Sequence, residues 1–277
     1  MDDVWGPYRI VRVLGQGSMG RVYVAADDIQ LSVVALKIIP LGGDGNRATL
    51  DAARGLFLAE AHSTRKLRHA HITSVINAGE KHGHGWLAME LAPGVDLSRY
   101  TSTNRLLPQA VVAGVGAKVA QALAHAHGLG IVHRDVKPSN VLVDWASNSL
   151  KLTDFGLART ADAQATRTGV VLGSPAFLAP EQLAGAPADT RSDIYALGVT
   201  LFQLLSGSLP FAASTLGELL AQVARKSAPA LGPLHPGITP ALADLVASML
   251  QKSAQDRPAM ADVVASELAA LVRGLNA

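Results

Sequence analysis

A dense cluster of charged and polar residues between two short apolar runs constrains this chain more than any other feature. The cluster occupies residues 133–140 (HRDVKPSN), with two apolar residues before it and three after it. This pattern predicts a loop that is held at a fixed place between two buried anchors. Within the loop, Asp135 can accept a proton, Lys137 can hold an anionic phosphate, and Asn140 offers a carbonyl oxygen to a hard cation.

A second segment, residues 154–156 (DFG), adds another oxygen ligand, Asp154, and a glycine that is free to turn. HRDVKPSN followed by DFG resembles the catalytic and metal-binding segments of the protein kinase superfamily. The resemblance implies that Asp135 orients the attacking hydroxyl and takes its proton, while Lys137 stabilises the γ-phosphate of ATP. It also implies that Asn140 and Asp154 hold Mg²⁺, for which Mn²⁺ could substitute.

The composition excludes several other classes of site. The 277 residues include no cysteine, which excludes disulfides, thiolate metal sites and cysteine nucleophiles. The formal net charge is +2, and no basic tract indicates a nucleic-acid partner. The N-terminal residues are unlike a signal peptide, and the longest apolar run is too short to span a membrane. We therefore expect a cytoplasmic chain, either by itself or as the kinase domain of a larger or membrane-anchored protein.

A glycine-rich segment near the N-terminus carries Gly15, Gly17 and Gly20 in a GxGxxG pattern. Glycines let a backbone come close to phosphates and donate its N–H groups to them. A dinucleotide-binding turn with this pattern would open a helix. Here the next residues, RVYVA, alternate like a strand, so we expect the glycines to lie in a hairpin. An ordinary glycine-rich turn is the alternative.

A single lysine, Lys37, lies in the middle of the β-rich run 33–39, and Glu60 lies within a segment of helical spacing, residues 56–67. A lysine in a buried strand is costly unless it is paired. The resemblance makes Lys37 the residue that binds the α- and β-phosphates and Glu60 its ion-pair partner. Alternatively, Glu60 is one of several solvated charges on the helix.

The resemblance also implies an adenine site where a strand over residues 86–92 runs into a connector between two lobes. Met89 would be the gatekeeper, backbone groups of residues 90–92 would bind the adenine, and Asp96 would lie near the ribose. The full set of implied ATP contacts is Leu14, Gly15, Gly17, Gly20, Val22, Ala35, Lys37, Met89, Glu90, Ala92, Asp96 and Leu142.

A second helical pattern, residues 108–127, is mostly apolar and ends with His125 and His127, which we expect to stabilise the helix terminus. Small residues share one face of this helix and favour close packing, namely Ala113, Ala117, Ala120 and Ala124.

The polar residues 157–169 precede GSP at 173–175 and APE at 179–181, and together they resemble a complete activation segment. The resemblance places Thr166 and Thr168 where bacterial relatives carry autophosphorylated threonines. An unmodified exposed loop is the alternative. We expect a phosphate on either threonine to pair with Arg134 and Arg159. Ser174 keeps the hydroxyl that a threonine usually supplies beside the catalytic loop.

Three further residues are expected to hold the scaffold. Asp193 lies near the start of a buried helix and would accept backbone N–H groups from the catalytic loop, serve as an ordinary helix cap, or do both. Arg257 resembles the family's buried partner of Glu181.

These segments predict a single α+β protein kinase domain over residues 1–277 with a bilobal fold. The N-lobe, about residues 8–91, would be a small antiparallel β-sheet with one main helix. A hinge at about residues 90–95 would lead to a larger, mostly helical C-lobe, about residues 96–273.

The resemblance is to the bacterial Hanks-type (eukaryotic-like) serine/threonine protein kinases. Lys137 in HRDxKPxN is the serine/threonine pattern. The bacterial assignment rests on APEQ at residues 179–182, RSDIYALGVTLFQLLSG at residues 191–207 and the compact, insertion-free lobes. A small-molecule kinase is disfavoured by the complete activation segment. A pseudokinase that binds nucleotide as a regulatory module would carry degenerate residues at Lys37, Asp135 or Asp154, and all three are intact. The implied partners are proteins with Ser or Thr acceptors and the chain itself in autophosphorylation, with a homodimer as an open option.

Overall fold

The computed structural model describes residues 3–17, 20–41, 47–155, 175–235 and 237–275. These residues divide into two compact units, the first comprising 3–93 with Phe155 and the second comprising 94–154 with 175–275. The strands are β1 Val4–Trp5, β2 Tyr8–Gly17, β3 Gly20–Asp27, β4 Ser32–Pro40, β5 Val75–Lys81, β6 His84–Glu90, β7 Val95–Asp96, β8 Val141–Asp144 and β9 Ser149–Leu152. The helices are α1 Arg47–Thr64, α2 Gln109–Gly128, α3 Pro180–Leu183, α4 Thr190–Ser206, α5 Leu216–Arg225, α6 Leu231–Leu234, α7 Pro240–Met249 and α8 Ala261–Leu275.

The first unit is built on an antiparallel sheet with the strand order β1-β2-β3-β4-β6-β5. Strand β4 is central, and six consecutive residues of it are buried because both faces of the sheet are covered. Successive side chains of a strand point to opposite faces. Accordingly Leu36 packs in an aromatic cluster with Tyr8 and Trp86, whereas Ala35 packs with Phe57 of α1 on the other face.

The second unit is mostly helical, with α2 packed against α4 and α8. Small residues allow this approach: a Cβ on Gly116 would lie 2.9 Å from a methyl carbon of Leu201 and 3.0 Å from one of Leu268. Of the predicted small-residue face, the first three alanines are buried, whereas Ala124 is half-buried. The expected face is therefore correct except at its C-terminal end.

A small sheet, β7-β8-β9, supports the loop that carries the charged cluster of the sequence. That loop joins the end of α2 to the start of β8, and β9 ends two residues before Asp154. The sequence predicted a strand over residues 86–92 that runs into a connector with Pro93 and Gly94. Instead β6 ends at Glu90, and the connector forms β7, which pairs with β8. Within the described residues, no helix is long and apolar enough to cross a bilayer.

Candidate active site

The loop between α2 and β8 is fixed at both ends by backbone hydrogen bonds. Ile131 N–H donates to Ala126 O (2.9 Å), which ties the loop to the last turn of α2. At the other end, Pro138–Asn140 form a 3₁₀ turn in which Asn140 N–H donates to Lys137 O (3.0 Å). A short loop anchored in this way can hold polar side chains in one arrangement.

Two loop side chains, those of Lys137 and Asn140, converge on the Asp135 carboxylate. Asn140 Nδ2 donates to the backbone oxygen of Asp135 (2.7 Å) and to its Oδ2 (3.0 Å). Lys137 Nζ lies 2.8 Å from the same Oδ2, and both side chains of that ion pair are largely buried, with 12% and 14% exposed. A carboxylate held by an amide and an ammonium group in this way has a fixed direction, which proton transfer requires.

The residues predicted to hold a metal ion are brought together by the backbone. Thr153 N–H donates to Asn140 O (2.9 Å), so Asp154 follows directly after a residue that is bonded to Asn140. Because Asn140 Nδ2 is turned toward Asp135, the amide oxygen Oδ1 is the atom that faces away. A carboxylate and an amide oxygen are hard ligands of the kind that Mg²⁺ prefers. The donor set therefore fits a divalent cation.

His133 contacts both the residue before Asp154 and the backbone of Asp135. The side chain is fully buried, its Nε2 lies 2.9 Å from Thr153 O, and Asp135 N–H donates to its Nδ1 (3.2 Å). Burial lowers the pKa of His133, because the charged imidazolium would lose its hydration. A neutral ring with its proton on Nε2 satisfies both contacts.

Asp193, in helix α4, anchors the loop between α2 and β8 by accepting two of its backbone N–H groups. Its Oδ2 accepts the N–H of His133 and its Oδ1 accepts the N–H of Arg134, both at 2.8 Å. Arg134 has a φ of +69°, a left-handed conformation that is uncommon for a residue with a side chain. The alternative interpretation of Asp193 as the helix cap is wrong, because Asp189 occupies that position and accepts from the N–H groups of Arg191 and Ser192.

The sequence analysis missed the role of His127. Its Nε2 lies 2.8 Å from Asp193 Oδ2, so the side chain contacts the anchor rather than the end of its own helix. The partner is distant in sequence, and no local pattern around the histidine indicates it.

The glycine-rich segment forms the predicted hairpin: Gly17 at the end of β2 pairs with Gly20 at the start of β3. The structural requirement for glycine differs between Gly20 and Gly15. A Cβ on Gly20 would lie 2.1 Å from the backbone oxygen of Ile38, and Gly20 has a φ of +147°, so the fold itself requires this glycine. A Cβ on Gly15 would meet no atom of the described residues within 4 Å, so their packing does not require a glycine there.

Lys37 is buried, with 4% of its surface exposed, on the face of β4 that packs against α1. Its neighbours on that face, Ala35 and Ile39, pack in one cluster with Phe57 and Ala61 of α1. Glu60, which is half-buried, lies in the same turn of α1 as those two helix residues. The sheet and the helix thus present the lysine and the carboxylate in one layer of the first unit, and the ion pair between them stays a prediction.

The residues predicted to bind adenine lie at the end of β6. Met89 is buried between Ala35 of β4 and Val75 of β5. Glu90 N–H donates to Ser74 O (2.9 Å), so that N–H is already used and the carbonyl oxygen is the backbone group that Glu90 can offer. Of the other predicted contacts, Ala35 is buried, Val22, Ala92 and Leu142 are half-buried, and Leu14 is exposed.

Asp96 has a structural role that the sequence analysis did not assign. Its Oδ1 accepts the N–H of Ser98 (3.0 Å) and caps the 3₁₀ turn Leu97–Tyr100. Because Oδ1 is used in the cap, Oδ2 is the carboxylate oxygen that could accept a hydrogen bond from a ribose hydroxyl without breaking the cap.

Glu181 and Arg257 form the pair that the sequence analysis assigned to them. The guanidinium donates to both carboxylate oxygens at 2.8 Å, and Ser192 Oγ donates to Oε1 at 2.8 Å. Burial raises the pKa of Glu181, but these hydrogen bonds outweigh it, and the pKa lies below the usual value. Four other predicted residues, Arg159, Thr166, Thr168 and Ser174, lie outside the described residues.

Comparison with known proteins identifies the family of the chain. Residues 8–269 match the model of the protein kinase domain family. Serine/threonine-protein kinase pkn3 of Myxococcus xanthus is 34% identical over 95% of this chain and 50% of its own length. Serine/threonine-protein kinase PrkC of Bacillus subtilis is 36% identical over 91% of this chain and 38% of its own length. The chain therefore spans half or less of the length of these relatives.

Among solved structures, the kinase domain of Mycobacterium tuberculosis PknI superposes with a TM-score of 0.77 at 28% identity, covering 98% of both chains. The predicted α+β kinase fold is confirmed by this likeness. The family uses ATP and a divalent metal ion, and its match spans both units. The chain belongs to the protein kinase domain family, and the prediction of a serine/threonine protein kinase domain is confirmed.

Proposed function

We propose that the protein transfers the γ-phosphoryl group of ATP to serine and threonine hydroxyls of other proteins. The observation that carries this proposal is the Asp135 carboxylate, held at Oδ2 by Lys137 and Asn140. Asp135 orients the acceptor hydroxyl and takes its proton as the oxygen attacks the γ-phosphorus, while the bond from that phosphorus to the β-phosphate oxygen breaks and ADP leaves. Fixing the carboxylate before the substrate arrives lowers the entropic cost of this alignment.

Lys137 has a second task in this proposal. A serine/threonine acceptor brings its hydroxyl to Asp135 while the γ-phosphate lies beside it. The Lys137 ammonium, 2.8 Å from Asp135 Oδ2, is then close enough to stabilise the charge of the γ-phosphate.

Asn140 Oδ1 and the Asp154 carboxylate are proposed to hold Mg²⁺, with Mn²⁺ as a substitute. When bound, the ion neutralises negative charge on the phosphate groups. Asn140 holds its oxygen in place through the two Nδ2 bonds to Asp135, so one side chain links the metal site to the proton acceptor.

The first unit is proposed to supply the ATP contacts. Lys37 binds the α- and β-phosphates and Glu60 holds its ammonium. Gly15 and Gly17 let the hairpin backbone approach the phosphates. No atom of the described part of the chain lies within 4 Å of a Cβ at Gly15, which supports a ligand-related reason for that glycine. The first unit also supplies apolar side chains that are proposed to contact the adenine, namely Leu14, Val22, Ala35 and Met89, whereas the predicted contact of Leu142 in the second unit stays a prediction.

We also propose activation by autophosphorylation at Thr166 or Thr168. A phosphate there would pair with Arg134 and Arg159. The N–H of Arg134 is bonded to Asp193 Oδ1, which fixes the backbone position from which the Arg134 side chain would reach the phosphate.

The proposal is tested by incubating the chain with γ-labelled ATP, Mg²⁺ and a mixed acceptor protein such as casein, followed by phosphoamino-acid analysis. The expected products are phosphoserine and phosphothreonine on the acceptor. Nucleotide binding without any transferred label would contradict the proposal and favour a pseudokinase. Label on tyrosine alone would contradict the assigned acceptor class.

A further inference from the structure

We propose that Lys252 is a covalent modification site, at which the side-chain amine takes an acyl group from an activated acyl donor and thereby loosens the end of helix α5. The donor is an acyl phosphate or an acyl thioester. Lys252 lies between α7 and α8 in the second unit, outside the loop that carries Asp135. The inference goes beyond the proposed function and does not depend on it.

The Lys252 ammonium is surrounded by groups that carry no negative charge. Its Nζ donates to Val223 O at 2.7 Å and lies 3.9 Å from the ring centroid of Phe211 and 5.8 Å from that of Tyr195. Ring faces attract a cation, but they do not replace a counter-ion. Within the residues that the structure describes, no carboxylate lies within ion-pair distance of Lys252.

The charged groups around Lys252 favour its neutral form. The guanidinium carbon of Arg257 lies 4.8 Å from the centroid of the same Tyr195 ring, and Arg257 Nη2 donates to the backbone oxygen of Lys252 (3.1 Å). Both oxygens of Glu181 are bonded to that arginine. Burial of the Lys252 side chain and, second, the charge of Arg257 lower the pKa of Lys252 to about 8. Burial raises the pKa of Tyr195, so its hydroxyl stays neutral.

This environment makes the Lys252 amine a better nucleophile than an ordinary lysine. Desolvation beside a second cation activates a lysine by raising the fraction of free amine. At pH 8 that fraction is about half for Lys252 and about 0.4% for a lysine with the ordinary pKa of about 10.4. A less basic amine is also intrinsically less nucleophilic, which reduces the net gain in rate to about tenfold. The side chain is half-buried, so a small acyl donor can reach it.

The acylation step needs only the amine and the donor. The Nζ lone pair attacks the carbonyl carbon of the acyl group and forms a carbon–nitrogen bond. The bond from that carbon to the phosphate oxygen, or to the thiol sulfur, breaks, and phosphate or the thiol leaves with the electron pair. The surplus proton on nitrogen passes to water. The product is an uncharged amide with one N–H, so the positive charge at this position is lost.

Helix α5 depends on this ammonium because little else of the helix is buried. Of its ten residues, all of which the structure describes, Val223 alone is buried. The Val223 carbonyl is among the last four of the helix, which have no partner within it. A positive charge near a helix C-terminus is stabilising. Acylation removes that charge and adds a bulky group beside the Phe211 ring, so we expect the last turn of α5 to open more often.

The first measurement is the acetylation rate of individual lysines. The parent chain is incubated at pH 8 with acetyl phosphate and, separately, with acetyl-CoA, and mass spectrometry follows the labelled fraction with time. Lys226, an exposed lysine directly after α5, is the matched control. We expect at least one donor to label Lys252 about tenfold faster than Lys226, and that donor identifies the source of the acyl group. A rate at Lys252 no higher than at Lys226 with both donors would overturn the proposal.

The dependence of labelling on pH separates a lowered pKa from simple accessibility. The rate at Lys252 should level off above about pH 8, because the amine is then mostly deprotonated. A lysine of ordinary pKa gains rate up to about pH 10. A rate at Lys252 that keeps rising through that range would contradict the assigned activation.

Hydrogen–deuterium exchange tests the effect on α5. The N–H groups of its last turn should exchange about tenfold faster in Lys252→Gln, which carries an uncharged amide, and near the parent rate in Lys252→Arg, which keeps the charge. Lys66→Gln, at an exposed lysine of the first unit, is the control. If Lys252→Gln does not fold, the acetylated parent chain takes its place.

Unchanged exchange of α5 in Lys252→Gln, or in the acetylated chain that replaces it, would overturn the assigned effect on the helix. None of these measurements uses phosphoryl transfer. A chain that fails to transfer phosphate would therefore count against the proposed function alone, whereas slow labelling of Lys252 in an active kinase would count against this proposal alone.

Discussion

Arg257 and Glu181 form a bidentate ion pair in which each of two guanidinium nitrogens lies 2.8 Å from a different carboxylate oxygen. The Arg257 side chain has no exposed surface, and 20% of the Glu181 side chain is exposed. The guanidinium also donates to the backbone oxygens of Gln251, Lys252 and Arg191. The pair thus connects α3, the start of α4 and the segment before α8 within the second unit.

Removing one partner of this pair should destabilise the fold strongly. Arg257→Met leaves the Glu181 carboxylate without its counter-charge and three backbone oxygens without a donor, so we expect a loss of about 3–5 kcal/mol in the free energy of unfolding. Arg257→Lys should recover only part of it, because an ammonium cannot reproduce the planar fork. Urea titration measures both variants.

The control for this prediction is Arg9→Met, which removes the exposed pair between Arg9 and Asp28. The unfolding midpoint of that variant should stay close to the parent value. Equal losses in Arg9→Met and Arg257→Met would show that burial of the Glu181 pair is not what stabilises it.

The same pair predicts a dependence of stability on pH. A carboxyl whose pKa is lower in the folded state stabilises the fold above its unfolded pKa, and that contribution is lost as pH falls through the folded pKa. The hydrogen bonds from Arg257 and Ser192 hold the pKa of Glu181 in this way below its ordinary value of 4.5. Stability should therefore fall on acidification below about pH 4.5, and Glu181→Gln should reduce this slope while lowering stability at neutral pH. A slope unchanged in Glu181→Gln would contradict the assignment.

Substitution by alanine should have different effects at Gly20 and at Gly15 of the hairpin. Gly20→Ala brings a methyl group against Ile38 O and should lower the melting temperature by several degrees. Gly15→Ala meets open space and should leave the melting temperature unchanged, but it should raise KM for ATP if the backbone approaches the phosphates there. An unaltered KM in folded Gly15→Ala would remove Gly15 from the proposed ATP contacts.

The proposed metal site predicts a change in the Mg²⁺ requirement. Asp154→Asn removes a charged ligand, so we expect the Mg²⁺ concentration for half-maximal activity to rise about tenfold or more. Asp262→Asn, at an exposed position in the first turn of α8, should leave it unchanged. The initial rate as a function of Mg²⁺ measures both, and matching curves for Asp154→Asn and the parent would contradict the assignment.

The sequence predicted features that depend on local pattern. The hairpin was predicted from the alternation after Gly20, and the strand of Lys37 from a run of β-branched residues. The clustering of Asp135, Lys137 and Asn140 was predicted because they lie within six residues of one loop. Such features need no knowledge of how distant elements pack.

Several features set by tertiary packing were not predicted. His127 and Asp193 are 66 residues apart, and their contact depends on how α2 packs against α4. Asp189 and not Asp193 caps α4, because the backbone conformation at Asp189 directs its oxygen to the first N–H groups. Glycine is required at position 20 because a Cβ there would collide with the backbone oxygen of Ile38 on β4, and the GxGxxG pattern alone does not show this contact.

Asp135→Asn tests the central claim most directly, because it keeps the size of the side chain and removes its ability to take a proton. The parent and the variant are each incubated with Mg²⁺ and ATP, the initial rates are compared, and the modified residues are mapped by mass spectrometry. We expect the variant to lose about 100-fold or more in rate while binding nucleotide normally, with phosphate on Thr166 or Thr168 in the parent only. A variant that transfers phosphate at the parent rate would contradict the role of Asp135 and the mechanism built on it.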